Sequence, residues 1–135
     1  MMTYNRAFIL IMVVLVLHAL GIAFDLYSFF DWYDIPMHFG GGFAAAALGL
    51  AIWTEGIEDI RFKGRMVRHL KWWLVPLFVL GIVALISVAW EFHEFLLDQL
   101  LSEKPLRQMG LTDTMADFFF DLTGGVIALL VYYRH

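Results

Sequence analysis

Four long apolar runs divide the chain, and short polar or aromatic segments join them. In the first, residues 8–24 are apolar except for His18, with Tyr4-Asn5-Arg6 just ahead. A hydrocarbon core about 30 Å thick is crossed by a helix of about 20 apolar residues. The run is longer than the core of a secretory signal, and Ala19-Leu20-Gly21 leads into further apolar sequence. The pattern predicts a retained transmembrane helix over about 7–27, with His18 as a buried, hydrogen-bonded histidine between helices.

Residues 25–36 form an aromatic and acidic connection, and its Tyr27, Trp32 and Tyr33 suit a membrane interface. Pro36 is expected to open a second helix over 36–54, with Asp34 as its N-cap and His38 inside the first turns. That helix is rich in small residues. The pairs Gly40/Ala44 and Gly41/Ala45 mark a face that another backbone can approach closely. Residues 55–71 are polar, and a third helix is expected over 72–94, with Pro76 near its first turn. Along it Gly81, Ala84, Ser87, Glu91 and Glu94 recur at threes and fours, a small-residue face ending in two glutamates. After a loop with Lys104-Pro105, Arg107 and Gly110, a fourth helix is expected over 113–133. No linker, repeat or low-complexity segment interrupts residues 1–135. The expected fold is all-α, a single transmembrane domain of four bundled helices.

Composition sets the medium. Hydrophobic residues make up 61% of the chain and charged residues 16%, with mean hydropathy +0.75. A soluble domain carries about 25% charged residues, so the chain reads as a multi-pass protein of the inner or plasma membrane, in contact with lipids. Having no cysteine, it has no disulfides, thiolate metal sites or cysteine nucleophiles. The net charge of −4 matters less than its distribution. Arg61, Lys63, Arg65, Arg68 and Lys71 lie in the middle loop and Arg6 and Arg134 near the ends. Only Lys104 and Arg107 lie elsewhere. The positive-inside rule then puts both termini and the middle loop in the cytoplasm. The basic loop is a topology signal, and nucleic-acid binding has no support.

That topology gathers the acidic residues at the extracytoplasmic end. Asp113, Asp117 and Asp121, four apart, stack on one face of a helix about 6 Å from each other. A charge at bilayer depth costs at least ~3 kcal/mol, so the row needs protons, a cationic partner or a metal. Asp34 and His38 begin the second helix and Glu91 and Glu94 end the third, at the same level. Oxygen ligands with one imidazole suit Mg²⁺, Mn²⁺, Ca²⁺ or Zn²⁺. The expected ligands are His38, Glu91, Asp117, Asp121 and Asp113, with Asp34 or Glu94 as general base. Capping gives Asp34 and Asp113 a structural alternative, solvation does so for Glu94 and Asp98, and His93 falls on another face.

Three motifs in order carry a resemblance: Tyr33-Asp34-Ile35-Pro36-Met37-His38-Phe39-Gly40, Trp90-Glu91-x-x-Glu94, and Asp113-Thr114-x-x-Asp117-x-x-x-Asp121-x-x-Gly124. They resemble the YjdF-like family of small polytopic inner-membrane proteins of unknown function. They are more distantly similar to the VanZ-like family, linked to glycopeptide (teicoplanin) resistance. The resemblance covers residues 31–128 and leaves the first helix without a motif. VanZ-like proteins typically have glutamine at the position of Glu94 and asparagine at that of Asp121, so the match is closer to the YjdF-like family. What it implies is a site, since neither family carries a settled reaction.

Patterns of other membrane enzymes are missing. No Gly-x-Ser nucleophile has a partner histidine, no paired histidines mark a zinc protease, and no arginine-rich lipid-phosphatase signature is present. Two readings stand. In one, a divalent ion acts on a lipid or lipid-linked envelope precursor. In the other, the protein is no enzyme: the carboxylates serve a proton or cation pathway, which four helices require a homo-oligomer to build, or the chain is a structural or accessory subunit. Orientation is testable in this cysteine-free chain: Lys63→Cys and Ser102→Cys, made singly, should react with an impermeant thiol reagent from opposite sides of the membrane. Labelling of both from outside would remove the shared extracytoplasmic face.

Overall fold

The computed structural model describes residues 1–30, 32–57, 65–101 and 109–134, with the backbone alone for 65–69, 71 and 101. Regular structure among them is entirely helical. Helix α1, Tyr4–Ala23, opens on Thr3, whose hydroxyl accepts from the Arg6 N–H. It ends where Asp25 adopts the left-handed conformation at φ 53°, which an aspartate tolerates better than a branched residue. The first span therefore stops short of residue 27, and a single turn, α2 (Leu26–Phe29), redirects the chain. Helix α3, Asp34–Ala51, continues as a π-helical turn over Ile52–Ile57. Helices α4, Arg65–Leu101, and α5, Leu111–Tyr133, complete the chain. Four of these helices are long and apolar enough to cross a membrane.

Several boundaries depart from the sequence pattern. Helix α3 starts two residues before Pro36, so Asp34 is its first helical residue. The cap position falls to Tyr33, which makes no side-chain capping bond. Proline is tolerated there because first-turn N–H groups have no partner within the helix. Helix α4 overruns residues 72–94 at both ends. Neither 65–71 nor 95–101 holds a glycine or proline to stop it, and at 37 residues it is about 55 Å long. Pro76 consequently lies inside α4 rather than in its first turn. The loop residues Arg61, Lys63, Ser102, Lys104 and Arg107 lie outside the described residues, as do the side chains of Arg65, Arg68 and Lys71.

Contacts between the ends show an antiparallel arrangement. The Thr54 hydroxyl donates to the Met2 carbonyl at 2.8 Å, Trp53 packs on Phe78, and Trp72 stacks on Tyr133. The start of α1, the end of α3, the start of α4 and the end of α5 thus meet at one end of the bundle. Helix α3 is the centre, packed against α1, α4 and, most extensively, α5. Half of its span is buried, 50%, against 11% for α1. Ala45, Ala46 and Leu50 face Val79 and Val83 of α4 and Ala128 and Leu129 of α5. Ala47 and Ala51 face Ala7 of α1.

The closest approach falls on a different pair of small residues from those the spacing picks out. A Cβ at Gly42 would collide with the Asp121 backbone, and one at Gly124 with the Phe39 carbonyl and the Phe43 N–H group. Gly40 faces a Val14 methyl and Gly41 the Asp121 carboxylate, both at ordinary contact distance. Backbone contact therefore runs through Gly42 and Gly124. Gly42→Ala and Gly124→Ala should each cost about 1–3 kcal/mol, because neither neighbour is a movable side chain. Gly81→Ala, where no atom lies within 4 Å, should be neutral or gain up to about 1 kcal/mol of helix propensity. Thermal unfolding in mild detergent ranks the three, and equal effects would refute the assigned contact.

Candidate functional site

The close approach of α3 and α5 decides what His38 meets. His38 lies one turn before Gly42, while Asp117 and Asp121 lie on α5 ahead of Gly124, and the two helices run in the same direction. All three side chains are buried, at 5%, 7% and 8% exposure. His38 Nδ1 is 3.3 Å from Asp121 Oδ2. Its Nε2 is 3.6 Å from Asp117 Oδ1 and also 3.6 Å from Asp34 Oδ1, one turn back on α3. Asp34 is the open member, with its side chain 32% exposed. From α4, the Ser87 hydroxyl donates to the same Asp121 oxygen that faces His38. Among the described residues, the ion pairs of these three carboxylates are those to His38. One imidazole can supply one positive charge against three negative ones.

The distances are too long for strong hydrogen bonds at Nε2, where 2.7–3.2 Å is usual. They fit ligand atoms arranged around a common centre. With bonds of about 2.0–2.2 Å, the edge of a tetrahedral zinc site is about 3.4 Å. Asp34, His38 and Asp117 offer one atom each, all within 4.8 Å of one another.

Each residue expected from sequence has a definite place. His38, Asp117 and Asp121 come together, and Asp34 joins them as a group facing Nε2. Asp113 sits in the first turn of α5, where its carboxylate accepts from the Met109 N–H at 3.1 Å; that is a helix-start role. Glu91 is buried, lines a second cavity with Phe95, Thr114 and Phe118, and lies near enough to act electrostatically on Asp34, Glu94 and Asp117, though it is not in the three-residue set. Glu94 accepts from the Trp90 indole at 3.0 Å and lines the cavity beside Asp34. His93 is exposed and packs on the Trp90 ring.

Two parts of the site were not assigned to it from sequence, and His18, expected to be buried between helices, is half-buried. Ser87 stood as an isolated hydroxyl in an apolar span; its only signal was a position one turn before Glu91. On the cavity's other wall, His18 Nδ1 lies 2.6 Å from the Tyr27 hydroxyl, and the His18 ring meets Trp90 edge-on. Burial, with Asp34, Tyr33 and Glu94 nearby, pushes the Tyr27 hydroxyl well above the usual phenol range. It therefore keeps its proton within its hydrogen bond to His18 Nδ1. Gly21 makes room for this arrangement, since a Cβ there would strike both the Tyr27 and Tyr33 rings.

A family model for predicted membrane proteins, DUF2238, matches residues 3–135. The chain belongs to the DUF2238 family. An uncharacterized protein of Thermotoga maritima is 30% identical over 115 residues, 85% of this chain. The chain spans about half of that relative, 55% of its length. No solved structure matches. Neither match carries the YjdF-like or VanZ-like name, and for DUF2238 the description stops at membrane residence, so chemistry has to come from the site.

Ser87→Ala should leave the buried Asp121 carboxylate one donor short and cost about 1–3 kcal/mol. Ser28→Ala, whose hydroxyl meets Asp25 at the surface, should stay within about 0.5 kcal/mol. Equal melting temperatures for both variants would mean Ser87 does not support Asp121.

Proposed function

We propose that this DUF2238 protein is a metal-dependent membrane hydrolase or transferase that acts on a lipid or lipid-linked envelope precursor. The ion would be held by Asp34, His38 and Asp117. What carries the reading is the position of His38 Nε2, 3.6 Å from each of two carboxylate oxygens, while Nδ1 faces Asp121. A hydrogen bond to Asp121 keeps the proton on Nδ1 and turns the Nε2 lone pair toward Asp34 and Asp117. Ser87 in turn fixes Asp121. Imidazole in the set favours Zn²⁺ or Mn²⁺ over Mg²⁺ or Ca²⁺. Three protein ligands leave a position for water or substrate on the side where Asp34 is exposed.

A bound ion would polarise a phosphoryl or acyl oxygen and lower the pKa of a coordinated water. Glu94, oriented by Trp90 at the same cavity, takes the general-base role, and Asp34 moves from base to ligand. Asp121 is a positioning residue. The extracytoplasmic placement rests on the basic residues of 55–71 and the positive-inside rule.

Thermal stability in detergent, with Zn²⁺ or Mn²⁺ and with chelator, tests the centre. Saturating ion should stabilise the wild type by about 2.7 kcal/mol at a hundred times Kd. Asp117→Asn should abolish that gain, and Asp121→Asn should weaken ion affinity by about 10–100-fold. A proton-sharing cluster without metal predicts the opposite sign, because asparagine mimics the neutral acid. Wild-type protein indifferent to ion and chelator, with asparagine variants at least as stable, would defeat the metal centre.

A further inference from the structure

The cavity beside Asp34 and His38 lies between α1, α3 and α4, with a volume of about 330 Å³. Its lining on α3 runs from Asp34 to Leu48, about 21 Å along the helix. Drawn out over that length, the cavity is an elongated slot. The cavity is polarised along its axis. Asp34, His38, Ser87 and Asp121, with His18 and Tyr27 opposite, occupy one end. Ile11, Val14, Leu48 and Val83 wall the rest, over the small Ala44 and Ala45.

It also has a side opening. Leu15 on α1 and Ile86 on α4 line the cavity and yet are 44% and 41% exposed, so the seam between these helices is both cavity wall and outer surface. Helix α1 packs on α3 rather than along α4, and the His18–Trp90 ring contact at 5.0 Å ties the two near the polar end. In a protein with four membrane spans, such a seam opens onto hydrocarbon. An apolar cavity stays dry, and one of about 150 Å³ holds a benzene, so this one has room for roughly a dozen chain carbons.

We infer that the cavity is a slot for a single hydrocarbon chain of a membrane amphiphile, which enters sideways between α1 and α4 and presents its headgroup to the Asp34–His38 end. Lipid tails are as apolar as the walls, so the chain gains little by moving in. Selection then falls on the headgroup, and the slot sets its depth and direction. A two-chain lipid would leave its second chain in the seam. For the chemistry at the headgroup the inference rests on the metal-centred reading; for the chain it rests on the cavity.

The test uses the full-length protein in phosphatidylcholine vesicles with a long-chain alcohol bearing a diazirine midway along its chain, followed by photolysis and peptide mapping. Adducts should fall on Val14, Leu48 and Val83 several-fold more often than on the outward-facing Phe8 and Val13. Ala44→Phe, which fills the slot, should reduce the inner adducts several-fold without changing the outer ones. If Ala44→Phe does not fold, the wild-type map decides. Adducts spread evenly over the outward faces of α1 and α4 would overturn the slot, whatever the ion does. Inner adducts that persist in chelator, with no ion effect on melting, would keep the slot and discard the metal centre.

Discussion

Contact between the backbones of α3 and α5 is the constraint on which the rest of the molecule depends. At Gly42 and Gly124 neither helix carries a Cβ, and the two chains touch through main-chain atoms. In a bilayer no hydrophobic force drives helices together, so close packing of small residues must do so. The same contact sets the chemistry. His38 and the pair Asp117/Asp121 project from the touching region of each helix, and at a separation one methyl wider their polar atoms would no longer reach each other.

The cluster so formed is not there for stability. Taking charges out of water costs several kcal/mol per ion, and a single imidazole cannot neutralise three carboxylates. Ser87 and His38 satisfy Asp121, whereas Asp34 and Asp117 meet the imidazole at distances longer than a good hydrogen bond. A site that keeps acidic groups clustered at depth, with one side exposed, works against folding rather than for it. Polar residues inside membrane spans mark function by default for this reason.

Helix α1 has a role that its motif-free sequence does not announce. With 11% of its span buried, it contributes little to the core. It instead supplies the outer wall of the cavity and, through His18, a second polar group at the mouth. The weak packing along α4 that makes α1 look peripheral is what leaves a seam beside the site. A helix tied at its polar end and at its N-terminus, through Met2 and Thr54, can border an opening without detaching.

Much of the architecture was legible in the chain. Apolar runs separated by aromatic and charged segments specify helical spans, because a bilayer leaves no other way to satisfy the backbone. A four-residue spacing of aspartates places them on one face whatever else packs there. Membership of the acidic site was legible in outline, since His38, Asp117 and Asp121 fall at matching heights. The tertiary structure alone decided the partners. Periodicity marks small residues without saying which face meets a neighbour, so Gly42 and Gly124 could not be told from Gly40 and Gly41. It places Glu91 at the right depth but does not fix which group it faces. Asp34 faces His38 rather than capping the helix because α3 starts two residues early, a boundary no spacing fixes. Ser87, His18 and Tyr27 joined the site through the rotation of α1 and α4 about their axes. That rotation is set by side-chain packing between helices distant in sequence, and no local pattern encodes it.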